Sequence, residues 1–201
     1  MENKFIFMSR MLSMNTVCYN GVPVENVKNY HIGTHIDFPS HSIKNGKTAN
    51  AYNADYFVFE NPFMCNIHME CGDYINCEHL KKIDIPQNTD LLIIKTGYGK
   101  FYKEEKYWND NPGLDESIAG FLKNKFPKIR AIGMDFISVT AYKNKEPGRK
   151  AHIVFLSEPE ILLIEDMLIP NEISTFKKII AAPLLIDSAD GVPCSIIAEI
   201  A

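Results

Sequence analysis

Short apolar segments bounded by Gly, Pro, Asn or Asp recur along the chain, and this pattern is typical of β-strands. We expect eight strands, at Phe5–Met8, Tyr56–Phe59, Asp90–Lys95, Ile129–Asp135, His152–Leu156, Ile161–Ile164, Ala182–Ile186 and Ser195–Ile200. The last two flank the pair Asp190-Gly191, which suits the positive φ of a hairpin turn. The pattern favours a chain dominated by β structure.

One segment has helical spacing instead. Its apolar residues fall on one face of a helix over Asp115–Phe126, and Pro127 ends it. This helix lies between the predicted strands Leu91–Lys95 and Ile129–Asp135, which suits a strand–helix–strand unit with parallel strands. We therefore predict an α/β fold that is rich in β structure and has few helices.

The length and composition fit one domain. A chain of 201 residues with 46% apolar and 23% charged residues has the balance of an ordinary globular protein, with enough apolar side chains for a sizeable core. The sequence contains no convincing linker and no internal repeat. We therefore predict a single domain over residues 1–201.

The charged residues give a formal net charge of −4, from 21 Lys and Arg against 25 Asp and Glu. The basic residues form no block or stripe, which argues against nucleic acid as a partner. No apolar run approaches the roughly 18 residues that a membrane span needs, so we expect no membrane partner. The segment Met1–Arg10 lacks a basic n-region and a cleavage site, and we interpret it as part of a strand instead of a signal peptide.

The cysteines bear on the compartment. There are five, at Cys18, Cys65, Cys71, Cys77 and Cys194. An odd number in a chain without an export signal favours free thiols in a reducing environment. We therefore expect a cytoplasmic protein.

The chemistry is concentrated in one short segment. Three of the six histidines, His31, His35 and His41, lie within 11 residues, with Asp37 among them. Imidazole nitrogen and carboxylate oxygen are ligands that Zn²⁺ and Mn²⁺ accept. All four residues have odd numbers, so in an extended segment they would point to one face, and Gly33 allows a bend. The alternative is a polar surface loop that happens to collect histidines.

A metal site needs further ligands from elsewhere in the chain. His152 opens one predicted strand, and Glu165 follows the apolar run Ile161–Ile164. A buried acid at the end of such a run is costly unless a partner neutralises it. The alternatives are an ordinary core or edge histidine and a surface carboxylate, and Glu160 or Asp166 could be the relevant acid.

The segment His31-x-Gly-Thr-His-x-Asp-x-Pro-x-His41 resembles the signature of the cyclase-like metal hydrolases, a family that includes bacterial kynurenine formamidases and isatin hydrolases. Further segments resemble that family in the expected order, namely Ser9–Gly21, Leu91–Tyr98, Asn111–Leu114, Ile132–Ser138 and Asp190–Pro193. The resemblance covers nearly the whole chain. It implies a single β-rich α/β domain of the cyclase-like, swivelling β/β/α type and a homodimer.

The resemblance also implies a centre with two divalent ions, Zn²⁺ or Mn²⁺. In this chain the metal ligands would be His31, His35, Asp37, His152 and Glu165, with Asp37 bridging the two ions. His41 would be the general acid/base, and Tyr19 would contact substrate.

These features predict a hydrolase that cleaves a small-molecule amide, either a formamide or a cyclic amide, through metal-activated water. His41 would carry the proton from water to the departing nitrogen. Two alternatives stay open at this point. One is a non-catalytic protein that binds a metal or small molecule on the same scaffold, and the other is a hydrolase that opens lactones or cyclic imides.

Overall fold

The computed structural model describes residues 4–13, 16–27 and 29–200. Over these ranges the chain forms eleven strands, β1 Phe5–Phe7, β2 His35–Asp37, β3 Val58–Phe59, β4 Pro62–Asn66, β5 Tyr74–Ile75, β6 Leu91–Lys95, β7 Gly113–Leu114, β8 Ala131–Met134, β9 Leu162–Glu165, β10 Phe176–Pro183 and β11 Gly191–Ile200. The α-helices are α1 Cys77–Leu80, α2 Lys106–Asn109, α3 Glu116–Lys125 and α4 Lys145–Leu156. Short 3-10 turns occur at Tyr19–Gly21, Val24–Asn26, Pro39–His41, Ala49–Ala51, Ala54–Phe57 and Tyr98–Phe101. The predicted α/β fold with much β structure and few helices is confirmed.

Nine strands form one mixed sheet in the order β3-β10-β11-β2-β9-β8-β6-β4, and β1 pairs with β11. Strands β4, β6, β8 and β9 run parallel to one another, whereas β2 is antiparallel to both of its neighbours, β9 and β11. The short strand β2 therefore lies in the middle of the sheet, where the parallel and antiparallel parts meet. A separate two-stranded sheet joins β5 and β7.

The predicted strand–helix–strand unit is present. Strands β6 and β8 are parallel neighbours, and α3 lies between them in sequence. Asp115 caps α3, because its side chain accepts a hydrogen bond from the backbone N–H of Ser117. The helix buries Ile118, Ala119 and Leu122, so the apolar positions that predicted it do face the core.

The predicted strand over His152–Leu156 is wrong, because this segment is the second half of α4. The buried residues of α4 follow helical spacing, at Gly148, Ala151, His152, Phe155 and Leu156. The β-branched pair Ile153-Val154 suggested a strand only because the segment was considered from His152 onward. When the residues from Gly148 onward are included, the apolar positions have the periodicity of a helix.

Two other predicted strands are displaced. In the segment Tyr56–Phe59 only Val58–Phe59 is a strand, because a 3-10 turn occupies Ala54–Phe57. The strand predicted at Ala182–Ile186 is β10, which ends at Pro183 and begins six residues earlier, at Phe176. The hairpin of β10 and β11 is present and antiparallel. Its positive φ belongs to Ser188, at 58°, and not to the pair Asp190-Gly191.

The structure also shows the state of the cysteine thiols and the character of the helices. All five cysteines are free. No helix in the described part of the chain has the length and apolar character that crossing a membrane requires. Met14 and Asn15, which belong to the segment Ser9–Gly21, lie outside the described residues.

Candidate metal centre

The pairing of β2 with β9 brings a histidine and an acid of the centre together. His35 of β2 lies directly opposite Glu165 of β9. Cross-strand neighbours point to the same face of a sheet, and His35 Nε2 accordingly lies 3.3 Å from Glu165 Oε2. Asp37, two residues along β2, points to the same face, with Oδ1 3.5 Å from His35 Nε2. The Asp37 side chain is 1% exposed.

His31 reaches this group from the loop that precedes β2. Gly33, with φ of +56°, bends the chain between His31 and the strand. The bend brings His31 Nδ1 to 2.8 Å from Asp37 Oδ1. The imidazole of His31 packs closely against Gly191 at the start of β11, where an added Cβ atom would lie 2.3 Å from His31 Cε1. Glycine is needed at position 191 for this close approach, whereas the sequence had suggested a turn.

His152 enters from the opposite side, on α4. Its Nε2 lies 3.6 Å from Asp37 Oδ2 and 3.5 Å from Glu165 Oε1. Helix α4 comes this close because Gly148 packs directly on Thr140, where an added Cβ would lie 2.4 Å from the Thr140 Cα.

Two of the histidines are held in the tautomer that metal binding requires. Nδ1 of His35 lies 2.8 Å from the Gly33 carbonyl oxygen, and Nδ1 of His152 lies 2.9 Å from the Gly148 carbonyl oxygen. A carbonyl can only accept, so each Nδ1 carries the proton and donates it. The Nε2 atoms that face Asp37 and Glu165 are therefore the nitrogens left for a metal ion, as in metal-bound histidines whose other nitrogen has a hydrogen-bond partner.

His41 occupies a different position from the other histidines. It ends the 3-10 turn Pro39–His41, and its Nδ1 lies 3.1 Å from Asp190 Oδ2. Its ring centroid is 4.3 Å from that of His31 and 5.4 Å from that of His152. The His41 side chain is 29% exposed, against 9% for His152. His41 therefore borders the centre on its open side, with a carboxylate fixing one ring nitrogen.

The electrostatics of the centre favour a cation. Burial lowers the pKa of His31, but Asp37 and Asp190 together outweigh this effect and raise the pKa to about 10. The pKa of His152 is raised to about 10 in the same way, by Asp37 and Glu165 against burial. Burial and Asp37 act to raise the pKa of Glu165, yet the contacts with His152 and His35 lower it to about 2. The neighbouring histidines also lower the pKa of Asp37 against the effect of burial. Both carboxylates are thus anionic, and each favours a cation beside it, either a protonated imidazole or a metal ion.

The donor set fits a divalent metal. Both carboxylate oxygens of Asp37 and Nε2 of His31 are buried without a hydrogen-bond partner among the described residues. Ligand atoms of His31, Asp37 and His41 lie within 4.8 Å of one another, and so do those of His35, Asp37 and Glu165. A buried carboxylate surrounded by imidazoles but left without hydrogen bonds has the chemistry of a ligand. Asp37 belongs to both sets, as a bridging ligand would.

The structure distinguishes among the three candidate acids, which lie in or beside β9. Glu160 precedes the strand and accepts hydrogen bonds from Lys47 and Tyr52, away from the centre. Asp166 follows the strand and is engaged by Arg10 and Tyr107. Glu165 alone of the three contacts the histidines, and its Oε1 also accepts a 2.7 Å hydrogen bond from the backbone N–H of Val139.

The prediction that the four odd-numbered residues His31, His35, Asp37 and His41 point to one face of an extended segment holds only in part. His35 and Asp37 do share one face of a strand, but β2 has just three residues. His31 lies before the bend at Gly33, and His41 lies in the following 3-10 turn. The four side chains therefore converge because the chain bends at both ends of β2, and strand alternation accounts for two of them.

One residue of the centre was not recognised from the sequence. Asp190 contacts both His31 and His41, with its Oδ1 3.4 Å from His31 Nε2. The sequence suggested only a turn at this position. The only signal for it in the sequence was that Asp190 opens the segment Asp190–Pro193, one of the segments that resemble the cyclase-like family.

A cavity of about 580 Å³ opens above the centre. Tyr19 lines it, as do His31, His35, Asp37, His41, His152 and Glu165. The Tyr19 ring packs edge-on against Tyr142, and the buried Tyr19 hydroxyl has no hydrogen-bond partner among the described residues. A cavity of this size accommodates a small molecule.

Comparison with known proteins gives consistent relatives. The Cyclase family model, described as "Putative cyclase", matches residues 6–141. A kynurenine formamidase of Bacillus thuringiensis subsp. konkukian is 31% identical over 163 residues, which cover 81% of this chain and 73% of the relative. Cyclase-like protein 2 of Arabidopsis thaliana is 25% identical over 81% of this chain, and the match spans 60% of the plant protein's length. Isatin hydrolase A from Labrenzia aggregata superimposes with a TM-score of 0.79 at 19% identity, over 98% of this chain and 93% of that one, and so shares its fold.

Proposed function

Because this chain belongs to the cyclase family, we propose that it is a metal-dependent hydrolase that cleaves an amide bond of a small molecule. The observation that carries the proposal is the set of histidines around Asp37, whose two buried carboxylate oxygens lack hydrogen bonds. The kynurenine formamidase relatives favour an acyclic formamide as the bond that is cleaved.

The residues that would hold the metal are His31, His35, Asp37, His152 and Glu165, and Asp37 would be shared because it belongs to both groups of converging ligand atoms. Zn²⁺ and Mn²⁺ both accept this mixture of imidazole and carboxylate. A divalent ion held there would supply a bound water with a pKa of about 7 and a positive charge that polarises the substrate carbonyl.

His41 is the proposed proton carrier. Its Nδ1 is held by Asp190, so the remaining ring nitrogen is available to exchange a proton with the substrate. Asp190 would fix the orientation of the ring, as carboxylate partners of catalytic histidines do. His41 would take a proton from the attacking water and give it to the departing nitrogen.

Tyr19 is the proposed substrate contact. Its hydroxyl lies buried at the cavity wall and can donate a hydrogen bond to a bound polar group. The ring of Tyr19, together with Tyr142, offers an apolar surface to the rest of the substrate.

The proposal is tested by metal analysis and a substrate panel. We expect the purified protein to bind close to two equivalents of Zn²⁺ or Mn²⁺ and to hydrolyse at least one formamide. The panel should include cyclic imides and lactones, since their turnover in place of formamides would identify a ring-opening enzyme. A protein that binds metal but turns over no member of the panel would be a metal-binding protein. Absence of both metal and turnover would rule out the hydrolase proposal.

A further inference from the structure

The cavity wall formed by α4 carries two cations. Lys145 and Arg149 both line the cavity, as does His152, which reaches its floor. These positions follow one another at spacings of four and three residues, so they form a stripe on one face of the helix. The stripe leads from the metal centre to the cavity rim.

Lys145 is placed at the rim by aromatic contacts. Its Nζ lies 4.5 Å from the ring centroid of Tyr142 and 5.8 Å from that of Tyr19. Within the described part of the chain, no carboxylate lies close enough to Lys145 to form a salt bridge. The ammonium therefore stands over two aromatic rings with its charge uncompensated by an acid.

Arg149 is nearer the floor. Its Nη1 contacts Glu146 Oε1 at 3.2 Å, but the two side chains are 65% and 72% exposed, so this ion pair is weak. The contact uses one nitrogen of a group that has five N–H donors. Burial and Glu165 raise the pKa of the Tyr19 hydroxyl, and Arg149 acts to lower it. The positive charge of Arg149 therefore acts on the cavity wall that Tyr19 forms.

The acids of the cavity lie elsewhere. Those that line it are Asp37, Glu165 and Asp166, all buried at the floor and engaged with histidines or with Arg10. The segment that follows Tyr19 contributes amides to the described lining, at Asn20, Asn26 and Asn29. An anionic group beside α4 would meet two cations. The one partly exposed acid of the centre, Asp190, lies outside the cavity lining and is already paired with His31 and His41.

We propose that the substrate is an amide that carries a carboxylate, without an accompanying ammonium group, and that Lys145 and Arg149 bind this carboxylate. At about 1.5 Å of helix rise per residue, these residues lie roughly 5 and 10 Å along α4 from His152. The carboxylate would therefore stand at a similar distance from the scissile carbonyl. The inference rests on the proposed hydrolase function for the position of that carbonyl.

Three formanilides of similar size provide the test. They are formanilide itself, 3-formamidobenzoate and 3-(aminomethyl)formanilide, which are neutral, anionic and cationic. We expect kcat/KM to be highest for the benzoate. The variants Lys145→Gln and Arg149→Gln should each lower the ratio of kcat/KM for the benzoate to that for formanilide by about tenfold, as loss of a charged hydrogen bond does.

Lys150→Gln is the matched control, because Lys150 is an exposed cation of α4 outside the cavity lining. It should leave the ratio at the wild-type value. Equal kcat/KM for the three compounds, or a ratio that neither cavity variant changes, would overturn the inference while leaving the hydrolase proposal intact.

Calorimetric titration of the metal-free protein with 3-formamidobenzoate gives a readout without turnover. We expect binding to the wild type and to Lys150→Gln, and about tenfold weaker binding to each cavity variant. Binding with this pattern, in a protein that hydrolyses none of the compounds when metal is restored, would support the carboxylate site and contradict the hydrolase proposal. No difference in affinity among the four proteins would refute the carboxylate site.

Discussion

At the scale of single residues, Asp37 is the most constrained member of the centre. It is 1% exposed, and its carboxylate lies within 3.6 Å of nitrogens of His31, His35 and His152. Three imidazoles around one buried carboxylate would be a poor arrangement for stability alone, because neither carboxylate oxygen receives an aligned N–H. The arrangement is suited to sharing a carboxylate between two cations.

The variant Asp37→Ala should therefore lose its metal. We expect metal affinity to fall by more than the roughly 10–100-fold that loss of an outer-shell partner costs. Metal content after dialysis, measured by inductively coupled plasma mass spectrometry, checks this. Asp84→Ala removes an exposed acid and should keep the wild-type content. A fully metallated Asp37→Ala protein would contradict the bridging role.

His41→Ala should behave differently, because His41 borders the open side of the centre and is proposed to carry a proton. We expect kcat to fall by about 10²–10⁴-fold, the usual contribution of general acid–base catalysis, with metal content unchanged. His68→Ala is the control, since the His68 side chain is exposed and distant in sequence from the centre. Retained turnover in His41→Ala would remove His41 from the mechanism.

At the scale of elements, the position of α4 decides whether His152 reaches the centre. The helix is held by the close contact of Gly148 with Thr140, and Gly148 also supplies the carbonyl that orients the His152 ring. The sequence suggested His152 as a ligand but placed it on a strand. The residue type suggested a metal ligand, whereas the formation of a helix and not a strand at this position depended on packing against α3 and β9.

Gly148→Ala should push α4 away from Thr140, where the new Cβ would lie 2.4 Å from the Cα. We expect a loss of about 1–3 kcal/mol in the free energy of unfolding, as for other overpacked sites, together with weaker metal binding. Gly120→Ala on α3 is the matched control, because an added Cβ there meets nothing within 4 Å. That variant should gain about 0.5–1 kcal/mol. Denaturant titration measures the free energy of unfolding of the two variants. Equal changes in that free energy would contradict the close packing of Gly148 on Thr140.

At the scale of the whole molecule, a buried polar cluster joins distant parts of the chain. Arg10, from the segment after β1, bonds to Asp166 at the end of β9 and to Tyr107 of α2. The Arg10 guanidinium also lies 3.9 Å over the Tyr102 ring. Burial raises the pKa of Asp166, and Arg10 and Tyr107 act to lower it. This cluster borders the metal centre, because Asp166 follows Glu165 in the chain and lines the same cavity.

Arg10→Met should leave the Asp166 charge buried without its partner. We expect the free energy of unfolding to fall by about 3–5 kcal/mol, the cost of breaking a buried ion pair. Lys4→Met removes a cation from the exposed pair with Glu199 and should cost no more than about 1 kcal/mol. Chemical denaturation of the two variants checks this, and similar losses would show that the buried cluster contributes no more than a surface pair.

Local patterns in the chain were enough to identify several features correctly. The helical spacing over 115–126, the strand-rich alternation and the segment His31–His41 all depend on residues close in sequence. The resemblance carried by that segment is confirmed by the family model and the relatives. The roles of the individual site residues, and the homodimer, stay predictions.

Other features depended on contacts between residues far apart in the chain. His152 meets Asp37 across 115 positions, and His41 meets Asp190 across 149. Glu165 is distinguished from Glu160 and Asp166 by its position opposite His35, which exists only once β2 and β9 are paired. Spacing in the sequence reports periodicity within an element, whereas such contacts are set by strand pairing and by the close approach of helix to sheet. The sequence therefore indicated which residues could bind a metal, and packing determined which of them meet.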